Sequence, residues 1–135
     1  MPKITYTGFN DTSPAFCGDF LSREHLLPGG VKITAADFAA NANGKRYVPA
    51  GTRVGRTFTE RDTNAFFGVA ADADDEIYIL AYDIVDLNES GDGEVLRGGT
   101  LIKENFLPGW AGETAALKAK VRGFYQTTLG AGGNA

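Results

Sequence analysis

Hydrophobic and polar positions divide the chain into three stretches of different character. From Met1 to Gly30 no period persists, and Phe9, Phe16, Phe20, Leu21, Leu26 and Leu27 are scattered among Gly8, Pro14, Gly18, Pro28, Gly29 and Gly30. Such a segment has apolar anchors and no regular element to hold them, yet it is richer in aromatics than a disordered tail. It reads as an extended arm over residues 1–30, laid on a neighbouring molecule or folded back on its own core. From Val31 to Pro108 the pattern is that of a sheet. Val31 to Thr34 alternates, and in Thr52 to Phe58 the residues Thr52, Val54 and Phe58 face one way and Arg53 and Gly55 the other, a half-buried strand with an Arg-bearing outer face. Ala65 to Ala70 is a small apolar strand. Glu76 to Val85, E-I-Y-I-L-A-Y-D-I-V, gives the strongest strand signal, with both faces apolar as in a central strand covered on two sides. Glu94 to Arg97 and Thr100 to Lys103 are short strands around Gly98-Gly99. From Glu113 to Leu129 the period changes, because Leu117, Val121, Phe124 and Tyr125 fall on one helical face. Glu113 near its start, Lys118, Lys120 and Arg122 further on, and Gly130 as a cap all suit an amphipathic helix.

The turn chemistry centres on Lys45 to Thr57, K-R-Y-V-P-A-G-T-R-V-G-R-T. Pro49 presets φ for position i+1 of a tight turn and Gly51 supplies the positive φ. Ala35 to Gly44 is either one or two helical turns, with Thr34 as N-cap and Asn43-Gly44 as the stop, or a lead into a hairpin turn at Asn43-Gly44. Glu60 to Asn64 and Asp86 to Gly93 read as polar loops. The chain is therefore expected to be mainly β over residues 31–108, with an extended N-terminal arm over 1–30 and one C-terminal α-helix within 109–135.

Composition narrows the functions. At 135 residues the chain is long enough for one domain with a real core. The 18 glycines suit a fold rich in turns. A net charge of −4 argues against a general nucleic-acid binder, which needs excess Lys and Arg to neutralise phosphates. Cys17 is the one cysteine, so neither an intramolecular disulfide nor a Cys-based zinc site is expected. The first twenty residues lack a basic segment followed by an apolar run, and no stretch approaches the roughly 18 apolar residues of a membrane span. The expectation is synthesis in the cytoplasm, with no export signal of its own and no membrane partner.

Candidate chemistry is sparse. His25 is the one histidine, and Cys17 shares with it an irregular segment, a poor platform for a preorganised nucleophile. G-T-R-V-G-R lacks the Lys and Ser/Thr of a phosphate loop. Asp86 to Glu94 matches several positions of a calcium loop, with Gly91 at the sixth, but the twelfth position is Arg97 where a bidentate Glu belongs. No cofactor, metal site or catalytic residue is expected. Charge is uneven: Lys45, Arg46, Arg53, Arg56 and Arg61 stand against Glu60 alone, whereas residues 72–94 hold nine acids and no base. Arg53 and Arg56 could meet Asp72, Asp74 and Asp75 of a neighbouring subunit, or the two segments could pair within one monomer.

The order V-P-A-G-T-R-V-G-R, E-I-Y-I-L-A-Y-D-I-V-D, G-G-T-L-I-K-E resembles the head decoration (capsid cement) proteins of tailed bacteriophages, the group that includes the phage lambda decoration protein, over roughly Val31 to Pro108. The resemblance implies a small β-barrel or β-tulip-like domain, a homotrimer on the outer capsid surface of the virion, and no enzymatic activity. The implied partner is the major capsid protein, whose neighbouring subunits it would clamp. The arm, with Phe9, Phe16, Phe20 and Leu21 as capsid anchors, would order by strand addition. A tail, neck or fibre subunit and a small ligand-binding β-barrel are the alternatives.

Overall fold

The turn at 49–52 and the apolar run after Asp75 together build the centre of the computed structural model, which describes residues 15–17, 23–87, 91–98, 100–121 and 124–126. Strands β2 (Arg53–Arg56) and β4 (Glu76–Leu80) run antiparallel, with Arg53 opposite Ile79 and Arg56 opposite Glu76. In chain order β1 spans Val31–Ile33, β3 Gly68–Val69, β5 Gly91–Gly93 and β6 Val95–Leu96. β3 flanks β2 and β6 flanks β4, so β2 and β4 are the inner strands of a four-stranded antiparallel sheet. The sequence expectation for β4 holds in its main point. Leu80 packs on one face with Val54 and Val95, while Ile79 packs on the other with Leu96.

β4 stops at Leu80, short of the Val85 end that its apolar run suggests. Its partner strand turns at 49–52, and beyond Leu80 Asp83 Oδ1 accepts the Ala50 N–H at 2.6 Å, a side-chain bond in place of a ladder bond. The backbone re-engages at Ile84, which exchanges hydrogen bonds of 2.8 and 2.9 Å with Val48. β1 pairs antiparallel with β5, and only Glu94 separates β5 from β6. Ile33 also bridges Phe67, just ahead of β3, in parallel. These strands surround a core of Val31, Ile33, Val48, Val54, Phe67, Leu80, Leu87 and Val95. A Cβ at Gly93 would lie 2.5 Å from Ile33 Cδ1 and 3.1 Å from Leu80 Cδ1, so any larger residue there would have to push these core side chains aside. Among the described residues the strands do not close into a barrel, because one isolated bridge is all that joins β1 to the segment before β3.

The other face of the sheet is covered by segments from both sides of it in sequence. β7 (Leu101–Ile102) and β8 (Tyr125–Gln126) form a parallel pair, and Cys17 bridges Ile102. Phe16, Cys17, Ile102, Leu107, Trp110, Val121 and Phe124 bury Ile79, Ala81 and Leu96. The architecture is mainly sheet, with a few short helices.

Local departures from expectation have local causes. The Thr52 N–H donates to the Pro49 carbonyl at 3.2 Å, so Ala50 fills position i+1 and Pro49 position i. Gly51 has φ +92°, as expected, and a Cβ there would also lie 2.6 Å from Pro108 Cδ. Phe58 to Asp62 is helix α1 rather than a strand end and polar loop. The sequence T-F-T-E forms a capping box in which the Glu60 N–H donates to Thr57 Oγ1 at 3.1 Å and the Thr57 N–H to Glu60 Oε1 at 2.8 Å. Ala35–Asp37 is a single 3-10 turn, and the Thr34 hydroxyl makes no cap bond. The long C-terminal helix is corrected to a short one. Helix α2 covers only Ala115–Lys120, capped by Thr114, whose Oγ1 accepts the Leu117 N–H. Phe124 is drawn into the core and Tyr125–Gln126 pairs with β7, contacts that outweigh the helical preference of the segment. The expected cap Gly130 lies outside the described residues.

Candidate functional site

Strand alternation sends the two arginines of β2 to opposite faces. Arg53 is 7% exposed. Its Nε donates to Glu113 Oε2 at 2.9 Å and its Nη1 to the Gly51 carbonyl at 2.8 Å, with the guanidinium 5.9 Å from the Trp110 ring centroid. The face expected to carry Arg53 outward is thus covered by the C-terminal segment. Arg56 donates through Nε to Glu76 Oε1 at 2.7 Å and through Nη1 to the Ala65 carbonyl at 2.9 Å, and its guanidinium lies 4.4 Å from the Phe67 ring centroid.

The acidic loop between β3 and β4 is equally occupied from within the monomer. Asp72 Oδ1 accepts the Thr114 hydroxyl at 2.5 Å, and the Asp72 and Asp74 carbonyls accept the Lys120 ammonium. Asp74 is buried, its Oδ2 accepting the Ala71 N–H at 2.8 Å. Asp75 Oδ2 accepts the Phe58 N–H at 2.8 Å. Within the monomer Arg53 pairs with Glu113, outside the acidic stretch, and Arg56 pairs with Glu76 inside it, so of the two arginines Arg56 alone joins the basic and acidic segments.

Of the arm anchors, Phe9, Phe20 and Leu21 lie outside the described residues. Phe16 is 3% exposed and packs in the molecule's own core, where its carbonyl accepts the Lys103 N–H at 2.6 Å. Cys17 beside it is buried, and burial pushes its thiol from an ordinary value near 9 up to about 11, against the opposing pull of Lys103. A thiol held protonated is a poor nucleophile. His25 closes the 3-10 turn Arg23–His25, and its carbonyl accepts the Arg97 N–H at 2.9 Å. In the loop with calcium-like spacing, residues 88–90 lie outside the described residues. Asp86 Oδ1 accepts the Arg46 N–H at 3.2 Å and Asp92 pairs with Lys32 at 2.7 Å.

Sequence reasoning missed several exposed apolar residues among those described. Tyr47 (50% exposed) and Val85 (68%) sit opposite one another beside the Val48–Ile84 bridge, and the neighbouring Asp83 carboxylate raises the pKa of the Tyr47 hydroxyl. Phe58 (48%), Phe66 (42%) and Val69 are exposed along the β2–α1–β3 connection. The capping box is the signal that would have found Phe58, since it places that residue in the first turn of a helix rather than on a strand face. Beside Phe66 lies a surface cavity of about 430 Å³, walled by Leu27, Val31, Phe67 and Tyr78 and by the Arg56–Glu76 pair. Compared with known protein families, curated proteins and solved structures, the sequence and its fold match none.

Proposed function

We propose that the protein is a non-enzymatic capsid decoration, or cement, protein that binds the outer surface of an icosahedral phage head and stabilises contacts between neighbouring major capsid subunits. The observation that carries this reading is the joining of the separate sequence pieces on which the resemblance rests. V-P-A-G-T-R-V-G-R supplies the turn and β2, and E-I-Y-I-L-A-Y-D-I-V-D supplies β4 beside it. The turn is pinned to β4, with the Gly51 N–H donating to the Leu80 carbonyl at 2.7 Å and the Leu80 N–H to the Thr52 carbonyl at 2.9 Å. The apolar core that Ile33, Val54 and Leu80 share, contributed by β1, β2 and β4, suits the small β domain that the resemblance implies, although the strands leave it open. Because Arg53 and Arg56 are occupied within the monomer, the adhesive contacts fall to Tyr47, Val85, Phe58 and Phe66 rather than to ion pairs. Phe9, Phe20 and Leu21 remain candidate contacts of an N-terminal arm. Trimer valency would multiply such weak contacts into firm attachment.

Co-sedimentation with mature DNA-free heads and with unexpanded procapsids, alongside the mass in solution, tests this. Saturable binding to expanded heads by a trimer is the expected result. Binding to neither form removes the cement role and moves the protein to a tail, neck or fibre. The cavity beside Phe66 supports a second reading, a small ligand-binding module, with the ligand lying in an open surface groove beside the Arg56–Glu76 pair. A monomer that ignores both head forms would favour that one.

A further inference from the structure

We propose that Asn43 is a site of spontaneous deamidation and that Asn41 sets its rate. Asn43-Gly44 is the one Asn-Gly pair in the sequence. Both residues are exposed, Gly44 has φ +77°, and nothing lies within 4 Å of where its Cβ would be. The loop is held almost wholly by one residue. Asn41 Oδ1 accepts the N–H groups of Asn43 (2.9 Å) and Lys45 (3.0 Å), its carbonyl accepts the Gly44 N–H (2.9 Å), and its own N–H donates to the Lys45 carbonyl (2.7 Å). Among the described residues, none of these bonds uses the Asn43 carboxamide, which is therefore available for reaction.

The step needs no co-reactant other than base and water. The Gly44 amide nitrogen, once it has lost its proton, attacks Asn43 Cγ. A new bond from that nitrogen to Cγ closes a cyclic imide, and the bond between Cγ and Nδ2 breaks as Nδ2 takes up a proton and leaves as ammonia. Water then opens the imide at either carbonyl, giving aspartate or isoaspartate. Glycine permits this because no side chain obstructs the attacking nitrogen. The Asn41 carbonyl opposes it by holding the Gly44 N–H, and Asn41 Oδ1 opposes it by holding the loop in that arrangement. Other described asparagines are worse placed. Each is followed by a residue whose side chain obstructs the attacking amide: Ala42 after Asn41, Ala65 after Asn64 and Phe106 after Asn105. The product adds a negative charge beside Lys45 and leaves every sheet ladder intact.

The full-length protein is incubated in mildly alkaline buffer and followed by intact mass and peptide mapping. Conversion concentrated at Asn43, with both acid isomers present and the melting temperature retained, is the expected result. Asn43→Gln removes the conversion. Asn41→Ala accelerates it about tenfold, the factor that accompanies ~1.4 kcal/mol of lost restraint, whereas Asn41→Asp keeps the acceptor oxygen and stays near the parent rate. Thermal melts confirm that each variant is folded. No acid at Asn43, or conversion no faster there than at Asn64 and Asn105, overturns the site. An unchanged rate in Asn41→Ala overturns the control by Asn41.

Discussion

The two faces of the β2–β4 sheet are covered in different ways. One face, Val54, Leu80 and Val95, is closed mainly by aliphatic residues of neighbouring strands and by Phe67, with the Arg56–Glu76 pair at its edge. The other, Ile79, Ala81 and Leu96, is closed by residues 16–17 and by the segments after Leu101, which have short elements of their own. That cover is fastened by polar links at its margin: Arg53 to Glu113, Asp72 to Thr114, and Lys120 to the carbonyls of the acidic loop. Burial alone is non-directional and tolerates small shifts. A cover held by hydrogen-bonded charges is sensitive to single substitutions, since each leaves a partner group desolvated and unmatched.

Substitutions that delete the centre of either face sharpen the contrast most. Trp110→Ala should cost about 3–5 kcal/mol and Leu80→Ala about 2–5 kcal/mol in urea unfolding. If Trp110→Ala unfolds with a separate early transition while Leu80→Ala stays cooperative, the second cover opens independently of the sheet. Should both remain cooperative with similar losses, the two faces form one unit and the contrast is only geometric. Arg53→Met is next, at about 1.5–3 kcal/mol, because it removes a charge-assisted bond to Glu113 that is largely shielded from water. A double-mutant cycle with Glu113→Gln should return a coupling clearly above zero, and additivity would mean that Trp110 packing alone holds the cover.

Thr57→Ala tests a feature common to neither face and should cost about 1 kcal/mol by removing the α1 capping box. A loss no greater than that of an exposed control substitution would show that α1 is held by Asp75 instead. The smallest effect at neutral pH concerns Cys17. Its folded thiol titrates higher than the unfolded one, so the folded state binds that proton more tightly. Its contribution is complete below its ordinary value near 9 and declines as pH rises through about 11. The parent protein should therefore lose stability relative to Cys17→Ala across that window, and parallel curves would refute the buried position of the thiol.

Legibility in the sequence followed the range of the interactions. The β4 strand, covered on both sides, was readable because consecutive apolar residues offer no solvent face. The positive φ of Gly51 was readable because few other residues take it. The T-F-T-E helix start was also local, but a period-two reading of Val54 and Phe58 concealed it. The charged residues were the hardest to place. Alternation assigned Arg53 to an outer face, yet nothing near it in sequence reveals Trp110 and Glu113, which meet it from about sixty positions away. The acids 72–75 form a negative run in sequence, but in space they serve as acceptors for N–H and O–H groups and close their own loop.

By itself the sequence determined what short-range sterics and hydropathy can determine: the sheet-forming middle of the chain, the turn at Gly51 and the presence of a core. Tertiary structure alone decided where β4 stops, how short α2 is, and which partner each arginine takes. Helical preference at the C-terminus amounts to tenths of a kcal/mol per residue, whereas burying one aromatic residue such as Phe124 contributes about 1.5–3 kcal/mol. The larger and longer-range effect prevails, and it ends the helix where the core requires Phe124 and β7 requires a partner.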